Sequence, residues 1–125
     1  MTILEAIHRI DVLKPNTYTQ AEKIRWLSEL DGMIKAEIID THEGGEQVAY
    51  NGYGDTTVLT TELLVPHPFD RIYLPWLQAQ IDYFNGENGK YQNSMAMFNE
   101  AYVAYEKYYN RIKLPSGKDL KLKFF

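Results

Sequence analysis

The chain has 125 residues, 17 acidic against 13 basic side chains and 45% hydrophobic residues, which describes one soluble globular domain rather than two. Its formal charge of −4 lacks the overall basic excess that nonspecific nucleic-acid binding draws on, leaving only a local basic patch for such a role. Without cysteine there is no disulfide framework, thiolate zinc site, iron–sulfur cluster or cysteine nucleophile. No apolar run approaches the roughly 20 residues of a bilayer span, and Glu5 and Asp11 stand where a secretory leader would be uncharged.

Thr2 and Glu5 have the spacing of a capping box, and Ile3, Leu4, Ile7 and Ile10 recur at helical intervals until Lys14-Pro15-Asn16 ends the segment. Thr19 and Glu22 repeat the device. Ile24, Leu27, Leu30, Ile34 and Ile38 then form one stripe, predicting a second helix from about Thr19 to Glu43 that stops at Gly44-Gly45. From Glu46 to Pro68 turn residues and β-branched residues replace that pattern, so one or two short strands, or an ordered loop, are expected. Asp70 can cap a third helix carrying Ile72, Tyr73, Trp76, Leu77, Ile81 and Phe84; Pro75 requires that helix to start near Leu74 or to bend. Asn85-Gly86 and Asn88-Gly89 form a short break, and Tyr91, Met95, Phe98, Tyr102, Tyr105 and Tyr109 carry a fourth helix to about Arg111. A break this short predicts an antiparallel helical hairpin in which Phe98 and Tyr102 pack on Trp76, Leu77 and Ile81. The expectation is thus a mainly α domain over residues 1–112, with four helices and a short β or irregular insertion between the second and third. A basic C-terminal arm follows over residues 113–125, where lysine and apolar residues alternate from Lys118 to Phe125.

Catalytic chemistry has little footing. Ser28, Ser94 and Ser116 occupy no nucleophile elbow, and Gly52-Tyr53-Gly54 lacks the third glycine and the context of a dinucleotide loop. Glu37, Asp40 and Glu43, with His42 beside them, offer oxygens to a hard cation only from neighbouring turns of one helix, a spacing that matches no ligand pattern and reads more simply as a solvated acidic face. His42 reads as a surface residue or helix-end cap, His67 as a turn residue, and His8 as part of an amphipathic helix. No catalytic residue, metal ligand or cofactor is therefore expected.

Charge layout is more informative. Acids at a helix C-terminus meet the negative end of the macrodipole, at a cost of a few tenths of a kcal/mol each, and such violations often mark sites. Residues 29–70 carry nine acids against Lys35 alone, a net of −8, whereas residues 107–125 carry six bases against Asp119, a net of +5. Opposite patches on one protomer suit a contact that repeats from subunit to subunit, although two solvated surfaces would give the same pattern. Of the ten tyrosines, Tyr102, Tyr105, Tyr108 and Tyr109 crowd more than one face of the last helix, so Tyr105 and Tyr108 are candidate contact residues. The expected interface comprises Glu37, Asp40 and Glu43 on the acidic side, Tyr105 and Tyr108 on the last helix, and Lys118, Lys121, Lys123, Phe124 and Phe125 on the arm. That arm either docks on another subunit or a neighbouring protein, with the acidic end of the second helix as candidate receptor, or folds back to pair with Val58–Val65 of its own chain.

Three stretches resemble a known group of proteins: Lys23-Ile24-Arg25-Trp26-Leu27-Ser28-Glu29-Leu30-Asp31-Gly32, Glu62-Leu63-Leu64-Val65-Pro66, and Gln80-Ile81-Asp82-Tyr83 through Asn85-Gly86-Glu87 to Tyr91-Gln92-Asn93-Ser94-Met95-Ala96-Met97-Phe98-Asn99. They are similar to small structural proteins of tailed phages and prophages of Gram-positive bacteria, of the head–tail connector or head-completion type. The likeness spans roughly residues 1–112; Pro75 departs from it. It implies a non-enzymatic subunit of a ring beneath the portal, with portal, tail or neighbouring connector proteins and further copies of itself as partners. It also implies a place in the virion, reached through the cytoplasm of the bacterial host during assembly. No small-molecule substrate, membrane or sequence-specific nucleic acid is expected as a partner. Two other readings stand beside it: a small bacterial regulatory module that binds protein through the tyrosine-rich helix, and an enzyme using the acids around Asp40 with a divalent cation.

Overall fold

Thr2 caps the first helix as its spacing to Glu5 predicts: its Oγ1 accepts the Glu5 amide at 3.1 Å, and α1 follows over Ile3–Leu13. The computed structural model describes residues 1–116. Within them the protein is mainly helical, with four α-helices and no strands. Ile3, Ala6, Ile7 and Ile10 form the buried face of α1.

α2 runs Gln20–Ile34 behind a Thr19 cap whose Oγ1 accepts the Glu22 amide at 3.2 Å. It passes without a break into a wider π-helical turn, Lys35–Ile39, closed by the Asp40 amide on the Lys35 carbonyl at 2.8 Å. The helix thus ends short of Glu43. Thr41 Oγ1 donates to the carbonyls of Glu37 and Ile38, and Gly44 then takes a left-handed φ of 82° that reverses the chain. Gly45 is needed for a different reason: a Cβ there would lie 2.4 Å from the Ile39 carbonyl oxygen and 2.9 Å from Asp40 Cα. Since backbone cannot swing aside as a side chain can, Gly45→Ala should cost about 1–3 kcal/mol, as overpacking does, and should lower the urea midpoint with an unchanged m-value.

The insertion is an ordered loop rather than a strand pair. Its backbone bonds run to the start of the chain, from Ile3 to Thr61 at 3.1 Å, Leu4 to Leu59 at 3.0 Å and Leu63 to Met1 at 3.0 Å, with one isolated bridge between Thr2 and Glu62. Leu63 and Val65 enter the core while Val58 stays exposed. Asp70 does not cap the third helix; it lies in a 3₁₀ turn, Phe69–Ile72, and takes the Met1 ammonium at 3.0 Å. α3 starts at Tyr73 and runs to Phe84, which leaves Pro75 in the first turn, where a missing donor is tolerated and no bend is required.

Gly86, with φ of 76°, turns the chain into α4, Asn88–Ile112, and the two helices form the expected antiparallel hairpin. Phe98 is buried with its ring 5.0 Å from that of Trp76. Tyr102 is only half-buried, because its hydroxyl leaves the core to donate to Glu37 on the π-turn. α1 and α2 pack against α3, and Trp76 Nε1 donates to the Trp26 carbonyl at 2.8 Å, which pins α3 to α2. The core is the space these helices enclose, filled by Ile10, Leu27, Leu30, Ile34, Ile38, Leu77 and Ile81.

Candidate functional site

Two surfaces and two buried polar clusters, around Asp31 and Asp82, stand beside the pairs that buried Lys23 makes with Asp11 and buried His42 with Asn110. The first surface is the acidic end of α2. Glu37 accepts from Tyr102, Asp40 is paired with Lys35, whose ammonium also reaches the Gly45 carbonyl at 3.0 Å, and Glu43 is exposed. Helix-end acids that the macrodipole disfavours are thus partly compensated by a cation and a hydroxyl brought from elsewhere. His42 acts as the helix-end cap expected, on the Ile38 carbonyl, but not as a surface residue. It is buried, with Nδ1 2.6 Å from the Ile38 carbonyl, Nε2 2.7 Å from Asn110 Oδ1, and its ring edge-on to Tyr109.

His42 is buried because the chain returns over it. The Glu43 amide donates to the Leu114 carbonyl at 2.9 Å and the Ser116 amide to the Thr41 carbonyl at 3.0 Å, with an antiparallel bridge between His42 and Pro115. Residues 114–116 therefore bind residues 41–43 of their own chain, just beyond the π-turn that extends α2. Lys118, Lys121, Lys123, Phe124 and Phe125 lie outside the described residues, as does the choice between docking and pairing with Val58–Val65. Tyr105, expected as a contact residue, is instead in the core, packed between Phe69 and Tyr109. Tyr108 is half-buried, stacked on Phe69 with ring centroids 4.6 Å apart. Both face inward because the 3₁₀ turn before α3 brings Phe69 onto the last turns of α4.

No group of three or more His, Asp or Glu among the described residues is arranged to hold a metal ion. Purified protein should accordingly show no one-to-one uptake of calcium, magnesium or zinc by calorimetry; micromolar binding lost in Asp40→Ala would contradict this.

The second surface escaped sequence reasoning. Phe84, placed by periodicity on the buried stripe of α3, is 53% exposed, and Tyr83 beside it is 59% exposed. Phe84 stacks on Trp26 with centroids 5.7 Å apart and lies 5.1 Å from Tyr83, which in turn meets Tyr91 at 5.6 Å. Tyr18 completes the group 6.3 Å from Phe84, its hydroxyl donating to Asn85 Oδ1 at 2.6 Å. An aromatic platform results at the α3–α4 turn. A separate open groove of about 560 Å³ lies between Leu13, Leu74, Pro75, Gln78, Met97 and Ala101, with Arg71 and Glu100 at its rim.

Both buried clusters are satisfied internally. Asp31 is fully buried and accepts from the hydroxyls of Tyr53 and Tyr73, the latter at 2.6 Å, and from the Leu64 amide at 3.0 Å. Burial pushes its carboxyl above the usual carboxylate range, against the opposing pull of those three donors. Burial and the Asp31 charge together push Tyr73 well above the usual tyrosine value, and Tyr53 likewise. Asp82 accepts from Ser94 at 2.7 Å and pairs with Lys14, which also reaches Glu87 at 3.0 Å. Burial opposes the Lys14 ammonium, but its hydrogen bonds to Asp82 and Glu87 outweigh that and hold its pKa above the ordinary lysine value. A signal for Asp31 was present: it lies four residues after Leu27 and three before Ile34, on the apolar stripe of α2. These hydrogen bonds and ion pairs fasten the loop and the end of α1 to the rest of the domain.

No protein-family model, curated protein or solved structure matches the chain.

Proposed function

We propose that this chain is a non-enzymatic assembly subunit of a tailed phage or prophage, of the head–tail connector type, working in contact with portal, tail or neighbouring connector proteins and with further copies of itself. What carries the reading is the likeness of Gln80–Asn99 to such proteins, a stretch that spans about half of the α3–α4 hairpin, its turn included. The polar clusters agree with it, since their hydrogen bonds are consumed in holding the domain together. So does the segregation of acids at one end of α2 from lysines in the last residues of the sequence. In this role the protein passes through the host cytoplasm and ends in the virion.

The regulatory-module alternative rests on a tyrosine-rich contact helix; the burial of Tyr105 removes a contact residue from both readings. Deleting the gene from an inducible prophage tests the proposal. Filled heads without attached tails, rescued by the intact gene, are expected; complete infectious particles in the deletion strain would overturn it. Mass spectrometry of purified wild-type particles should find the protein at several copies per virion.

A further inference from the structure

We propose that the aromatic platform at the α3–α4 turn receives the C-terminal segment 120–125 of a second copy of this chain. The inference rests on the self-assembly part of the function proposed above. Phe84, Tyr83 and Tyr91 are held from below, by Trp26 stacking and by the turn at Gly86, while about half of the surface of Phe84 and Tyr83 remains open. Rings fixed in place lose little freedom on binding, and aromatic groups left open together on a domain surface are characteristic of protein contacts.

The sequence beyond Ser116 has the complementary chemistry. Leu120, Leu122 and Phe124 alternate with Lys121 and Lys123, so an extended segment presents apolar side chains along one edge and ammonium groups along the other. The first set covers ring faces; the second can lie over the exposed tyrosines as cation–π partners.

Distance makes the full contact intermolecular. Residues 114–116 are bonded to residues 41–43, beyond the π-turn that follows α2, whereas Trp26 beneath the platform lies midway along α2. Helical rise puts Trp26 and His42 about 24 Å apart. Residues 117–119 span about 10 Å at full extension, so Leu120 and Leu122 of the same copy fall short of the platform and only Phe124 and Phe125 come within reach of it. Root and receptor are therefore different surfaces, and repeating the contact from copy to copy closes a ring or extends a filament.

The absence of native cysteine permits a direct test with full-length protein. Asn88→Cys places a thiol on the exposed first residue of α4 beside the platform, and Lys123→Cys places one in the segment. Mixing the two single variants under mild oxidation should yield mixed disulfide dimers about tenfold above those of Lys123→Cys with Val58→Cys, through the raised local concentration of docked thiols. Adding Phe84→Ser to the Asn88→Cys protein should return the yield to the control; should that variant not keep the wild-type melting temperature, Tyr83→Ser takes its place. Equal yields in both mixtures, a yield unaffected by the ring substitution, or an intramolecular disulfide in the double variant at high dilution would each overturn the proposal. Specific cross-linking by a protein whose deletion leaves particles complete would refute the connector role alone, whereas absent cross-linking with tail-less heads would refute this contact alone.

Discussion

Replacing Phe98 by alanine is expected to lower stability by about 3–5 kcal/mol, the cost of removing a large ring from a packed core. Phe98 is buried between α4 and α3, touching Trp76 at 5.0 Å and Tyr102 at 5.8 Å between ring centroids. Trp76 in turn is hydrogen-bonded to α2, so the cavity opens where three helices meet and where collapse around it is restricted. Set against the roughly 5–15 kcal/mol that holds a small domain together, the loss leaves a partly unfolded population at physiological temperature. Equilibrium urea unfolding measures it directly. A midpoint near that of the wild type would mean that α4 presents a different face to α3. Tyr102→Phe supplies the contrast: it keeps the ring and removes only an exposed bond to Glu37, so its midpoint should stay within a few tenths of a kcal/mol equivalent.

Asp31→Ala is the second large effect. Three donors converge on this carboxylate, and the Tyr73 hydroxyl also accepts the Val65 amide at 2.9 Å, so that one side chain fastens α2, α3 and the insertion together. Truncation strands the buried Tyr73 hydroxyl and the Leu64 amide, at about 1–3 kcal/mol for each group left unsatisfied. Protection of residues 50–65 from hydrogen exchange should fall further than that of α1. The pH dependence carries a definite sign. With its folded-state pKa raised by burial, Asp31 binds its proton more tightly in the folded protein than in the unfolded chain. Its contribution to stability is therefore fully present below the unfolded value of about 3.9 and is lost as pH rises through the folded value. In Asp31→Asn that part of the slope should vanish: the stability difference between wild type and variant should change across the acid range and become flat above it. A difference that is flat throughout would mean that the carboxyl is not shifted.

The sequence alone determined the features that depend on near neighbours. Both Thr caps, the stop at Lys14-Pro15, the left-handed Gly44 and the four helices follow from hydrogen-bonding rules and periodicities that act within a few residues. The charge asymmetry between residues 29–70 and 107–125 was equally open to counting. What the tertiary structure decided is where each helix face ends up. Phe84 lies on the apolar stripe of α3 yet is half-exposed, because that helix ends at the turn and Trp26 and Tyr18 meet the ring without enclosing it; Tyr105 looked available on α4, but Phe69 arrives to bury it. Asp31 and His42 are buried because the insertion loop and α4, each from far along the sequence, bring the donors and acceptors that make their burial tolerable. Whether such a group is buried depends on a partner that local pattern does not encode: a buried polar atom is stable only when a distant residue completes its hydrogen bonds, and that pairing exists only once the helices have packed.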